Sequence, residues 1–261
     1  MSWNDLFVNM DNTNFFNFSF LPKYGAAFVR GFEYTLLLAV VSVLLAVIPA
    51  LLLALMRLSK VKPVKWLSGA YIAVFRSTPM LVQLSIIYFG LFHYITLPRT
   101  LLFGFIAVNR FIPGVVALAL NSGAYLSEII RSGIQSIDGG QTEASRSLGM
   151  SKLQTMRFII LPQAIRNILP AIANEFVTII KESAICFTIG VQDIMSAVNS
   201  VKGATYRITE ALVIATALYF CLTYPTSKVI AHFEKKMSAG SSRNAANVAH
   251  KRKVQAQEGT K

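Results

Sequence analysis

Four charged side chains sit among long apolar runs: Glu128, Glu175, Lys181 and Glu182. A charge at membrane depth costs on the order of 2.5 kcal/mol or more, so each is first of all a site hypothesis. Helical periodicity sorts them. Glu175, Thr178 and Glu182 recur at three- and four-residue spacing and share a face, as Asn121 and Tyr125 do on an earlier segment. Ser122 and Ser183 add hydroxyls beside those faces. If the two segments line a cavity, a carboxylate there holds a ligand ammonium, while amide and hydroxyl groups hold the ligand's carboxylate. The competing reading is that these groups satisfy one another between packed helices, where small and polar residues are common. Glu128 has a plainer partner in Arg131, three residues on, at the spacing of a helix-surface ion pair. Lys181 adjoins Glu182, but helix neighbours point about 100° apart and need not pair.

Nothing in this set makes an enzyme. No Gly-rich phosphate loop is present, so no nucleotide is held by this chain, and no nucleophile–base pair stands out. His93, His232 and His250 are too scattered for a metal or catalytic set. Cys186 and Cys221 lie in apolar segments and read as small core residues, not as a disulfide, ligand or nucleophile. The expected catalytic and metal sites are none.

A second group of candidates lies outside the apolar runs. The stretch Asp138–Pro162 reads DGGQTEASRSLGMSKLQTMRFIILP. Asp138 can cap a short helix with Gln141 completing a capping box, and Gly149 suits a left-handed residue after its last turn. Ser151 and Gln154 repeat the capping pattern for a second short helix, which Pro162 ends or kinks. Such a knuckle offers Glu143, Arg146, Leu148 and Met150 to a soluble partner; on capping alone it is equally an ordinary amphipathic loop.

The elements that position these residues are membrane spans. Of 261 residues, 54% are apolar and 14% charged, against about 25% charged in soluble domains. From Leu36 to Met56 only Ser42 and Pro49 interrupt the apolar residues. Such a helix is about 30 Å long, the thickness of a hydrocarbon core. Spans are expected near Gly31–Met56, Met80–Leu97, Phe111–Ile130, Ile165–Ile180 and Ile208–Ile230, with Trp66–Phe75 too short to cross alone and Arg76-Ser77-Thr78-Pro79 as a break. Pro98–Arg110 is then an external connection, and Cys186–Val201 a short external or re-entrant helix. Residues 1–24 form an extracytoplasmic leader without the basic start of a signal peptide. Residues 25–236 form the transmembrane domain, with a cytoplasmic loop at 131–157, and 237–261 a disordered basic tail. The net charge of +13 is not a nucleic-acid footprint. Seventeen of the 25 Lys and Arg fall at Arg57–Lys65, Arg131–Arg166 and from Lys228 on, which the positive-inside rule puts in the cytoplasm. The amino terminus is then outside and the carboxyl terminus inside. The fold class expected is an all-α integral membrane protein of about five helices.

The knuckle also resembles a known signature. Glu143, Ala144, Gly149, Ile159, Leu161 and Pro162 match the EAA motif of ATP-binding-cassette (ABC) importer permeases, with Ser145 in place of the second alanine. Further segments are similar to the polar amino-acid permeases of the His/Glu/Gln/Arg type. They are Gly31 with Thr35-Leu36, Met56-Arg57-Leu58-Ser59, Phe75-Arg76-Ser77-Thr78-Pro79 with Val82-Gln83-Leu84, Asn121-Ser122-Gly123-Ala124-Tyr125 leading to Glu128, Arg131-Ser132-Gly133-Ile134, and Leu161-Pro162-Gln163-Ala164. The resemblance covers about Gly31–Phe233 and implies a MetI-like permease core in the cell membrane that imports a polar amino acid by alternating access. It implies a cytoplasmic ATPase dimer carrying the ATP and Mg, a second permease subunit (identical or homologous), an extracytoplasmic amino-acid-binding protein and surrounding membrane lipid, with no nucleic acid. In that reading Glu143, Ala144, Arg146, Leu148, Gly149 and Met150 couple to the ATPase, and Glu182, Ser183, Asn121, Ser122, Tyr125, Thr178 and Glu175 are the substrate-binding candidates. The alternative is a transport-inactive scaffold or sensor that keeps the ATPase dock. A transporter needs a cavity at its polar face; a scaffold does not.

Overall fold

The computed structural model describes residues 17–258 apart from 103 and 105, with side chains as far as 235 except that of Leu102. Most of the leader, residues 1–16, and the last three residues of the tail lie outside the described residues. The first helix, α1, is Leu21–Leu58, with Pro22 in its first turn, where a missing N–H is harmless. It starts at Leu21, ahead of the expected span at Gly31, because Tyr24, Ala27 and Phe28 already join an apolar cluster with Ile194, Val198 and Ala211. One face of α1 buries Tyr34, Leu38, Ala46 and Ala50, while Leu44, Ile48, Leu52 and Leu55 point outward, as lipid contact requires.

The break expected at Arg76–Pro79 is present, immediately before the second expected span. Helix α2, Lys62–Ser77, and α3, Met80–Ser85, which continues as a π-helical turn over Ile86–Leu91, meet at 108°. The cause is Pro79, whose ring pushes Thr78 into extended backbone with φ −116° and ψ 146°. The helix thus stops at Leu91, short of the expected Leu97. Within the connection Pro98–Arg110, β1 (Leu101–Leu102) and β2 (Ile106–Ala107) form a small antiparallel hairpin.

Helix α4, Val108–Gln135, is the most enclosed of the long helices: 67% of its most apolar window is buried, against 33% for α1. Gly133 lets α7 approach it; a Cβ there would lie 2.3 Å from Ile168 Cγ1. After the knuckle helices α5 (Gly139–Ser147) and α6 (Lys152–Thr155), a π-helical turn at Met156–Ile160 leads into α7, Leu161–Glu182. A 3-10 stretch at Ser183–Ile189 and Gly190 turn the chain into α8, Ile194–Thr205, which lies at 45° to the preceding element.

The last helix, α9, runs from Ile208 to Glu258. The tail from Met237, expected to be disordered, is therefore helical through Glu258; its many Ala, Lys, Arg and Gln residues are strong helix formers. Cys186 is buried as expected, but Cys221 is exposed, because it lies on the outer side of α9. By length and composition, α1, α4 and Ile208–Lys235 of α9 can each cross a bilayer, and the number among the described residues is up to five if each bent pair is one span.

Candidate functional site

The knuckle is built by local rules. Asp138 caps α5, its Oδ1 accepting from the Gly140 N–H at 2.7 Å. Gln141 closes no box; its backbone N–H donates to the Asp138 carbonyl at 3.0 Å. Gly149 adopts φ +81°, the left-handed geometry that favours glycine. The Gly149 N–H donates to Arg146 O at 3.0 Å and the Met150 N–H to Ser145 O at 3.1 Å, a Schellman pair. Arg146 clasps the turn by donating to the Met150 carbonyl. On α6 the capping box is complete: Ser151 N–H donates to Gln154 Oε1 at 2.7 Å, and Gln154 N–H to Ser151 Oγ at 3.2 Å. Ser145, the departure from the EAA pattern, is buried and donates to Thr142 O at 2.9 Å, with Thr155 Oγ1 at 3.0 Å. The two short helices are thus tied by side chains as well as by the turn. Outward stand Glu143, Ala144 and Arg146, with Leu148 84% and Leu153 76% exposed, while Met150 is half-buried. Two bare leucines thus stand on a polar knuckle braced by its own caps.

The seven intramembrane candidates fall into two neighbourhoods. In the first, Glu175 is buried on α7, and Ser122 of α4 is fully buried with its Oγ unpartnered among the described residues. Glu182 Oε2 is buried without a hydrogen-bond partner among the described residues. Lys181 is exposed and forms no ion pair with it, acting only through a longer-range attraction. Ser183 is fully buried and donates to Ile180 O at 2.8 Å; Thr178, half-buried, donates to Asn174 O at 3.3 Å. These two hydroxyls serve their own helix and keep only lone pairs to offer. Two carboxyl groups with little hydrogen bonding and no ion-pair partner among the described residues are a demanding arrangement in an apolar surround.

In the second neighbourhood, Asn121 Nδ2 donates to Gln83 Oε1 at 2.8 Å, and Asn121 Oδ1 is buried without a partner among the described residues. Tyr125, one turn on, lies under the Arg76 guanidinium, 5.2 Å from the ring centre. It lines a cavity of about 460 Å³ with Arg57, Arg76, Ser77 and Glu128. Glu128 pairs with Arg131, as its spacing suggests, at 2.5 Å, and also with Arg57 at 3.4 Å.

Several contributors carry no local signal. Gln83 and Arg76 stand in motif segments but not at a spacing that marks a site, and Arg57 lies 71 residues from Glu128. Asp193 is buried, caps α8 by accepting from the Ser196 N–H at 2.8 Å, and keeps Oδ2 unpartnered among the described residues. A charge interrupting an apolar run was its one available signal.

With this geometry in place, comparison with known proteins is specific. The family model described as "Binding-protein-dependent transport system inner membrane component" matches residues 42–239. The chain is 41% identical over 211 residues to the "Arginine transport system permease protein ArtQ" of Bacillus subtilis (strain 168), covering 81% of this chain and 92% of that protein. It is 39% identical over 218 residues to the "Putative glutamine transport system permease protein GlnP" of Rickettsia typhi (strain ATCC VR-144 / Wilmington), covering 84% and 95%. Among solved structures, one described as an amino acid ABC transporter with histidines superposes with a TM-score of 0.76 at 43% identity, covering 85% of this chain and 99% of that one. The MetNI methionine ABC transporter, at 19% identity and a TM-score of 0.61, shares the fold.

Proposed function

We propose, since this chain belongs to the family of binding-protein-dependent transport system inner membrane components, that it forms one half of a paired permease importing a polar amino acid, with cationic amino acids preferred. It is a transporter subunit and not an enzyme; the ATPase is a separate chain. Systems of this family work with an ATPase and a substrate-binding protein. In our reading the knuckle meets the ATPase, which holds ATP and Mg, on the cytoplasmic face where the basic loops gather. The amino terminus is outside and the carboxyl terminus inside.

The observation that carries the cargo reading is two acids on one face of α7, Glu175 buried and Glu182 with its Oε2 buried and unpartnered, neither having an ion-pair partner among the described residues. A ligand carrying an ammonium or guanidinium supplies what the site lacks; the arginine system among the relatives fits a cationic cargo, and the glutamine system fits a polar one. Binding-protein-dependent uptake of a labelled amino-acid panel into proteoliposomes holding the whole complex tests it. ATP-dependent accumulation of arginine, lysine or histidine is the expected result. ATP hydrolysis with no accumulation of any amino acid would select the transport-inactive scaffold instead.

A further inference from the structure

The angle between the basic end of α1 and the first turns of α2 holds two neighbouring cavities that the transport reading does not use. The first, of about 480 Å³, is lined by Arg57, Lys62, Lys65, Trp66 and Gly69 and by no acidic residue. Arg57 is balanced on its far side by Glu128 at 3.4 Å, whereas Lys62 and Lys65 have no ion-pair partner among the described residues. Gly69 makes room for the Arg57 guanidinium, since a Cβ there would sit 3.2 Å from Arg57 Nη1. Trp66 is 74% exposed at the rim, the amphipathic ring favoured at headgroup level.

The second cavity, of about 530 Å³, shares Ala70 with the first and runs along α2 between Leu53, Met56, Leu67, Val74 and Phe75. Its two hydroxyls are already committed: Ser68 donates to Lys65 O at 3.1 Å and Tyr71 to Leu120 O at 2.9 Å. What remains is an apolar furrow opening from a cationic cup. An anionic headgroup with an acyl chain attached has that sequence of chemistry, and basic pockets beside membrane helices recognise such headgroups.

We infer that the α1–α2 angle is a specific site for one anionic phospholipid, its phosphate held by Lys62, Lys65 and Arg57 and one acyl chain laid along α2. The orientation proposed above puts that lipid in the cytoplasmic leaflet; the binding chemistry is independent of the cargo. Native mass spectrometry of the whole detergent-purified complex tests it, with phosphatidylglycerol, phosphatidylcholine and glycerol phosphate as probes. Phosphatidylglycerol should bind about tenfold more tightly than phosphatidylcholine, and K62Q/K65Q should bring the two together. Val74→Trp, which fills the furrow and leaves the charges, should weaken both lipids. Glycerol phosphate should not be retained; retention equal to that of phosphatidylglycerol would make this a free-phosphate site and overturn the assignment. So would equal binding of both lipids, or double-variant affinities matching those of the wild type. A photocrosslinker at Trp66 that captured a second permease chain in place of lipid would also overturn it, by showing the angle to be a protein interface.

Discussion

A carboxylate in an apolar surround persists only if something in the working cycle repays its desolvation. At Glu182 no hydrogen bond or ion pair among the described residues does so: Oε2 is buried without a partner, and Lys181 is exposed. Glu182→Gln keeps the shape and removes the charge, and a neutral amide is less costly to bury, so insertion and assembly are expected to hold. Uptake of arginine and lysine should fall by about 10- to 100-fold, matching the roughly 1.5–3 kcal/mol of a hydrogen bond to a charged group, with neutral amino acids less affected. Initial rates across a cationic and neutral panel measure it. Equal loss for both classes would make the residue a structural acid, and the site would then move towards Asn121 and its unpartnered Oδ1.

At the scale of elements, the knuckle is where local rules suffice. The Ser151–Gln154 box and the left-handed Gly149 are legible from the residues, because caps and Schellman turns involve neighbours no more than five positions apart. Gly149→Arg places a side chain on a left-handed residue, a strain of about 1–2 kcal/mol, and sets a cation beside Leu148. The permease should still insert, while co-purification of the ATPase and ATP-dependent uptake are lost. Normal uptake with the ATPase bound would refute the docking role. The π-helical turns and the 108° bend were less legible. Thr78-Pro79 marks a break, yet the angle follows from how α2 and α3 settle on α1 and α4. Gln83 with Asn121, 38 residues apart, and Arg57 with Glu128, 71 apart, were beyond reach for the same reason. Helix packing alone decides which polar groups meet.

For the whole molecule, three uninterrupted spans and two bent ones leave the orientation to the charges. Residues near Lys60, the segment 138–149 and the chain after Lys235 are expected on one face. In a Cys221→Ala background, since that thiol is exposed, single cysteines at these places should react with impermeant maleimide only from the cytoplasmic side. Labelling of any of them from outside would rule out this topology. The apolar runs of α1, α4 and α9 made the span number readable, as length against bilayer thickness is a one-dimensional test.

The bend between α2 and α3 has a consequence for biosynthesis. Where the helix breaks, the carbonyls of Phe75 and Thr78 are taken up by Gln83 Nε2 at 2.8 and 3.0 Å, and the oxygen of Gln83 is taken up in turn by Asn121 of α4. Unsatisfied backbone groups are too costly for bare lipid. Until α4 is translated, the bent segment lacks the amide that completes this relay. In ribosome-arrested chains extended by a flexible linker long enough to clear the exit tunnel, Ser85→Cys should therefore stay reachable by aqueous maleimide when the permease portion ends before Val108, and become shielded when it includes α4; shielding in the shorter chains would refute this order. The expected outcome is that the second span leaves the translocon only together with the third.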